Sequence, residues 1–216
     1  MKVIDKLLDL LYPPRCAFCH KLIWREGLVC PECLKSLPYT DAAGQDQSFP
    51  NISKCLSPLY YEGDVRSSLL RYKFHSLTAY SKVYGKFMVK CIDEWGISCD
   101  IITWVPLSAK RLRKRGYDQA RLLAEEIARE KELRCERLLS KTVNNPAQSG
   151  TGDANKRMAN VKGVYRFAGS APLDGKSVLI VDDIVTTGAT LSECARVLKA
   201  AGAGRIYAVT AARKRD

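Results

Sequence analysis

Four short apolar runs, separated by helical stretches, constrain this chain more than any other feature. "CLSPLYY" (Cys55 to Tyr61), "DIITWVPL" (Asp100 to Leu107), "SVLIVDD" (Ser177 to Asp183) and "RIYAVTAA" (Arg205 to Ala212) read as strands. Between them, "DVRSSLLRYKF" (Asp64 to Phe74), "AYSKVYGKFMVKCIDEW" (Ala79 to Trp95) and Asp118 to Leu133 read as helices. In the third of these, Ala120, Leu123, Ala124, Ile127 and Ala128 share one face. A last helix from about Thr190 turns Leu191, Cys194, Ala195 and Leu198 inward, and Gly202 closes it. Strands interleaved with helices imply right-handed crossovers, so the expected fold is α/β, a mostly parallel twisted sheet flanked by helices. Ligands of such sheets bind beyond the carboxyl ends of the strands. The segments after Pro106 and after Val181 are therefore where function is expected.

"VLIVDDIVTTGAT" (Val178 to Thr190) places paired acids against a loop suited to an anion. With Val178 to Val181 as a buried strand, Asp182 and Asp183 emerge at its carboxyl end. Neighbouring carboxylates repel and need donors. A ribose diol offers two hydroxyl donors at a suitable separation. In "TTGAT", Gly188 lets the backbone approach closely, and Thr186, Thr187 and Thr190 carry hydroxyls. Unpaired N–H groups and the positive end of a helix dipole make an anion site there. One ligand can thus meet both features, its phosphate on the loop and its sugar on the acids. Neither G-x-x-x-x-G-K-[ST] nor G-x-G-x-x-G is present. A strand ending in Asp also occurs in phosphotransfer receivers and metal phosphatases, so the loop and helix carry the distinction.

The second segment is basic. Lys110, Arg111, Arg113, Lys114 and Arg115 follow the strand that ends at Pro106 and suit a pyrophosphate, a solvated turn or a nucleic-acid patch. The formal charge is +12, and it belongs to the body. Residues 1–50 hold six basic and six acidic side chains, residues 51–216 hold 29 and 17. Such a body favours phosphate-bearing partners. Arg213, Lys214 and Arg215 add a basic tail.

Cys16, Cys19, Cys30 and Cys33 are spaced C-x2-C-x10-C-x2-C, which brings four thiolates to one tetrahedral point. Thiolates suit structural zinc, with iron the alternative, and four of them leave no open catalytic position. Metal binding can supply folding energy on the order of 10 kcal/mol to so small a unit. The polar stretch Leu37 to Asn51 separates this head, residues 1–50, from the body, residues 51–216. Val3, Ile4, Leu7, Leu8 and Leu11 make one face of an N-terminal amphipathic helix that is expected to pack on the body. Asp5, Lys6 and Asp9 break any signal-peptide core, and no window is long and apolar enough for a membrane span. The expected location is the cytoplasm.

"VLIVDDIVTTGAT" resembles the signature of the type I phosphoribosyltransferases, which bind 5-phosphoribosyl-1-pyrophosphate (PRPP). The resemblance implies that Asp182 and Asp183 meet the ribose hydroxyls and serve catalysis. It also implies that Thr186, Thr187, Gly188, Ala189 and Thr190 hold the 5-phosphate. The whole chain resembles the ComF family, through "YPPRCAFC", "LRYKF", "VPLSAKRLRKRGYDQARLLA", "KRMANVKGVYRF" and the terminal motif. That likeness carries pyrophosphate binding, with magnesium, onto Ser108, Ala109, Lys110, Arg111 and Arg115. In related transferases a flexible segment closes over the pyrophosphate, and here Lys156 and Arg157 in the polar stretch Lys141 to Asn160 would deliver the charge. An exposed connector is the other reading of that stretch. Two functions follow from the family: transfer of a phosphoribosyl group to a nitrogenous acceptor, or a competence accessory role. The latter implies single-stranded DNA and a helicase-type partner. Many relatives have Gly-Phe-Asn-Gln where this chain has Gly116-Tyr117-Asp118-Gln119, and some carry a second cysteine pair that is missing here.

Overall fold

The computed structural model describes residues 13–23, 27–41, 47–142 and 161–215. The expected N-terminal helix (Val3 to Leu11) and the residues Lys156 and Arg157 lie outside them. The head contributes one short helix, α1 (Pro31–Ser36). The main sheet begins with β1 (Gln47–Phe49), just before the expected boundary at residue 51, and continues with β2 (Ile52–Leu56) and β3 (Leu59–Tyr60), then α2 (Gly63–Phe74) and α3 (Tyr80–Glu94). Next come β4 (Ile101–Trp104), α4 (Ala109–Arg115), α5 (Gln119–Lys131), β5 (Arg134–Cys135), β6 (Leu139–Lys141) and β7 (Tyr165–Phe167). The chain ends with β8 (Val178–Val185), α6 (Ala189–Ala200) and β9 (Ile206–Arg213).

Seven strands form one sheet in the order β1-β2-β9-β8-β4-β5, with β3 also pairing β9. All of these pairs are parallel except β1 with β2. β6 and β7 form a separate antiparallel pair. The expected α/β fold is present, and "VLIV" becomes a central strand because its residues are apolar toward both faces. The run Cys55 to Tyr61 is divided into β2 and β3 rather than continuous, since Pro58 has no N–H for the ladder. β8 is longer than expected: it continues past the acids to Val185 and pairs with β9 as far as Arg213.

Alternation along the strands sends side chains to two cores. Leu179 and Val181 pack with Leu69 of α2, Met88 of α3 and Leu123 of α5. Val178 and Ile180 pack with Leu191 and Leu198 of α6 and with Tyr165 of β7. Full burial of a side chain such as Leu123 or Ile127 is worth about 1.5–3 kcal/mol. α5 starts where Asp118 accepts a hydrogen bond at Oδ1 from Arg121 N–H, 3.3 Å away, the usual reason for Asp at a helix start.

The head joins the first core directly. Phe18 is fully buried, edge-on to Tyr84 at 5.7 Å and to Phe87 at 6.0 Å. Arg71 of α2 donates to the Ala17 carbonyl at 3.0 Å and to the Phe18 carbonyl at 2.5 Å. Among the described residues no helix is long and apolar enough to cross a membrane.

Candidate functional site

The site lies where β8 passes into α6. The pairing of β8 with β9 runs to Asp182 opposite Thr210, skips Asp183, and resumes with Ile184 opposite Ala212. The apolar phase slips at the same point. Ile184 joins the core of Val181, three positions back, and Val185 joins the core of Ile180. The register is the same on both sides of Asp183, so no residue is inserted; Ala211 and Ala212 of β9 likewise both join the core of Val181, and the two strands change face together. Asp183 turns toward α2, where Lys73 Nζ lies 3.0 Å from its Oδ2. Asp182 turns toward the α6 side, where its charge acts on Lys141, Tyr165 and Cys194. The acids are adjacent but diverge.

Their environments differ accordingly. Asp183 is 4% exposed, whereas Asp182 is half-buried and accepts the N–H of Asp183 at 2.8 Å. Desolvation and the neighbouring Asp183 charge hold the Asp182 carboxyl well above the usual carboxylate range, against the pull of Lys73. Asp118 is also raised by burial, although Leu107 and Arg121 donate backbone N–H groups to it. By tying Leu107 to the start of α5, Asp118 fixes both ends of the loop that carries α4.

The Thr186–Gly188 turn follows. Gly188 has φ +69°, a left-handed conformation that side chains disfavour. A Cβ there would also sit 2.1 Å from the Phe49 ring, so the ring lies flush on the glycine. The N–H groups of Gly188, Ala189, Thr190 and Leu191 have no acceptor among the described residues, and the first bond of the helix is Ser192 N–H to the Gly188 carbonyl at 2.8 Å. These donors and the dipole of a 12-residue helix face whatever enters beside the acids. Thr186 is exposed, and Thr187, Ala189 and Thr190 are half-buried.

The basic segment is a helix, α4, rather than a solvated turn. Ser108 caps it, its buried Oγ accepting from Arg111 N–H at 3.4 Å, and Gly116 ends it with φ +83°. Its cations do not form one wall, because a helix distributes consecutive residues around its axis. Ala109, Lys110, Arg113 and Lys114 are exposed. Arg115 donates to Gln119 Oε1 and stacks 5.3 Å from the Phe74 ring. Arg111 is the cation that joins the Asp182 side. Lys141 donates to Tyr165 Oη at 3.2 Å, and burial together with the Arg111 charge lowers the Lys141 ammonium pKa against the pull of Asp182.

The structure thus gathers Asp182, Arg111, Lys141 and Tyr165 on one side of β8, and Asp183, Lys73 and Tyr72 on the other. Lys73, Lys141, Tyr165 and Asp118 were not singled out from the sequence. Lys73 lies in the quoted "LRYKF" and Asp118 in "RGYDQA", but only the fold shows what they touch. Arg213, read as part of a basic tail, is instead 2% exposed because β9 extends far enough to seat it beside Val185.

The four predicted cysteines converge. The Sγ atoms of Cys16, Cys19, Cys30 and Cys33 all lie within 4.8 Å of one another, and those of Cys19 and Cys30 are 3.7 Å apart. A tetrahedron with zinc–sulfur bonds of about 2.3 Å has edges of roughly 3.8 Å, so the donor set fits zinc. Backbone N–H groups also reach the sulfurs: Cys30 N–H to Cys16 Sγ at 3.4 Å, and Cys33 N–H to Cys30 Sγ at 3.5 Å. Such bonds stabilise thiolates and hold them in place.

Comparison with known proteins agrees with both parts. Residues 118–216 match the phosphoribosyl transferase domain family, and residues 7–45 match the double zinc ribbon domain family. Among the described residues there is one four-cysteine cluster. The chain is 27% identical over 203 residues to "DNA utilization protein YhgH" of Escherichia coli O6:H1, covering 88% of this chain and 86% of that protein. It is 24% identical over 214 residues to "Competence protein F" of Haemophilus influenzae, covering 89% and 93%. A local match of 58% over 36 residues, 17% of this chain and 20% of the other, is to adenine phosphoribosyltransferase of Rhodococcus opacus. The chain is a ComF-like protein, a phosphoribosyltransferase-type domain joined to an N-terminal four-cysteine zinc module.

Proposed function

We propose that this chain is a cytoplasmic protein that binds PRPP at the β8–α6 junction and transfers its phosphoribosyl group to a nitrogenous acceptor, releasing pyrophosphate. The observation that carries this reading is the run of unpartnered amides from Gly188 to Leu191 directly beyond Asp182 and Asp183. In this reading Thr186 to Thr190 hold the 5-phosphate. The ribose hydroxyls donate to Asp182 and to Asp183 Oδ1, which leaves Lys73 on Oδ2. Ser108, Ala109, Lys110, Arg111 and Arg115 receive the pyrophosphate, and Lys156 and Arg157 add charge. As the bond at the first sugar carbon breaks, the pyrophosphate departs with the electron pair and positive charge spreads over the ring. The cations stabilise the leaving group and the acids stabilise the ring. Magnesium accompanying PRPP would supply a further charge on the pyrophosphate, and half-buried Asp182 suits the one or two protein oxygens that magnesium takes. The body, residues 51–216, holds this site, while the head, residues 1–50, serves folding and protein contacts.

Calorimetric titration with PRPP and magnesium tests the reading. Saturable binding that is lost in Asp182→Asn/Asp183→Asn supports it, and binding indifferent to that double substitution refutes it. Pyrophosphate release in the presence of a panel of bases then identifies the acceptor.

A second reading is a competence accessory protein that acts on single-stranded DNA beside a helicase-type partner, in the sense the family likeness implies. The charge of +12 and Phe74, 67% exposed beneath Arg115, favour it, because cations and open aromatic faces are what single strands bind. Neutralising Arg111, Arg113 and Arg115 should then flatten the dependence of log affinity on log salt by about two, at roughly 0.7 per phosphate contact. Replacing the Asp pair should leave DNA binding unchanged.

A further inference from the structure

Among the described residues, Arg213 is the largest side chain buried to within 2% of complete exclusion, and neither its Nη1 nor its Nη2 has a hydrogen-bond partner there. A guanidinium keeps its charge at any ordinary pH. Burying it unpaired is among the most costly arrangements a fold can hold, so a missing anion is implied.

Its position indicates where that anion comes from. Arg213 stands opposite Val185 in the parallel ladder, one residue before the Thr186 turn, and the Lys214 N–H is bonded to the Val185 carbonyl at 3.0 Å. Residues directly opposite in a ladder share a face. Val185 packs in the core that contains Leu191 and Cys194 of α6, with Phe49 against it, and Phe49 lies on Gly188. Cys55 belongs to the same core, and its thiol, pushed up to about 12 by burial, is drawn back by the Arg213 charge. The guanidinium therefore lies on the side of the sheet covered by the start of α6, where four amides also have no acceptor.

We propose that Arg213 is a buried anion receptor beneath the Thr186–Thr190 turn, and that it and the amides of α6 together bind a phosphate monoester. The inference deepens the phosphoribosyl reading and rests on it for the sugar that carries the phosphate. It also gives the change of face at Asp183 a second effect. Val185, and with it Arg213, reaches the α6 side because the phase changes there. The site would then prefer a dianionic phosphate to a carboxylate or a neutral sugar, since both a helix start and a fixed cation await it.

The test uses the full chain and three probes: inorganic phosphate, ribose 5-phosphate and ribose, each titrated calorimetrically into wild type, Arg213→Met and Arg213→Lys. Expected are a loss of at least 100-fold in affinity for both phosphates in Arg213→Met, and a loss of about tenfold in Arg213→Lys. The ligand-free melting temperature of Arg213→Met should be unchanged or raised, because an unpaired charge has been removed. If Arg213→Met does not fold, Arg213→Lys decides: unaltered phosphate affinity overturns the proposal. Wild-type affinity for both phosphates in Arg213→Met overturns it as well, while leaving the phosphoribosyl reading intact. Arg213-dependent binding of inorganic phosphate without binding of ribose 5-phosphate supports the receptor and refutes the sugar. Failure of wild type to bind either phosphate at millimolar concentration refutes both.

Discussion

Replacing Lys73 with Met tests how the acid pair is held. Lys73 Nζ lies 3.0 Å from Asp183 Oδ2, with side-chain exposures of 19% and 6%. At an effective dielectric constant of about 20, two unit charges at that distance attract by roughly 5 kcal/mol. Desolvation and side-chain ordering offset most of this in the intact pair. Met keeps the aliphatic stem but removes the cation, which leaves a buried carboxylate beside Asp182. Breaking a buried pair from one side costs about 3–5 kcal/mol, and the partial exposure of Lys73 puts the expectation near the lower limit, about 3 kcal/mol. Urea unfolding followed by tryptophan fluorescence reads the loss, as a midpoint lower by roughly 1.5 M for a slope of about 2 kcal/mol/M. Lys73→Met/Asp183→Asn should lose less than the sum of its two single variants, by at least about 1 kcal/mol. A loss below about 1 kcal/mol in Lys73→Met, with additive single variants, would refute the reasoning: the pair would then be a surface contact of little weight.

Three further outcomes are expected. Gly188→Ala should abolish PRPP binding and lower stability by at least about 1 kcal/mol, since its φ is +69° and its Cβ meets Phe49; adding Phe49→Ala should restore part of the stability but not the part due to φ. Burial raises the Asp182 pKa, so the folded state holds that proton more tightly than the unfolded chain, and stability falls as pH rises from about 4 to the elevated folded value. Asp182→Asn should therefore gain stability relative to wild type across that window, and parallel urea midpoints from pH 4 to 8 would contradict this. Chelation should expose the Cys16–Cys33 segment to limited proteolysis, and added zinc should restore protection at about one metal per chain.

The parts of the site that could be read from sequence are those built by neighbours in sequence. A strand, two acids, a glycine turn and a helix follow one another from Val178 onward, and the amides of a helix start belong to any helix. The four cysteines were legible because tetrahedral metal binding imposes a spacing. Partners brought in by topology were not. Lys73 reaches Asp183 from a helix far upstream, and Lys141 reaches the Asp182 side from a strand outside the main sheet. The change of face at Asp183 was hidden too, because alternation predicts the side of a residue only while the strand stays regularly pleated. Composition marked Arg213 as tail, since three basic residues near a terminus usually face water; pairing of Val185 with Arg213 overrode that tendency.

Arg71 and Lys73 stand two positions apart on α2 and point to different places, one to the carbonyls beside the first cysteine pair and the other to the buried acid. A single helical turn thus links the four-cysteine module at one end with the Asp183 carboxylate at the other. A partner that tugs or tilts the module would alter the seating of that carboxylate without approaching the ligand.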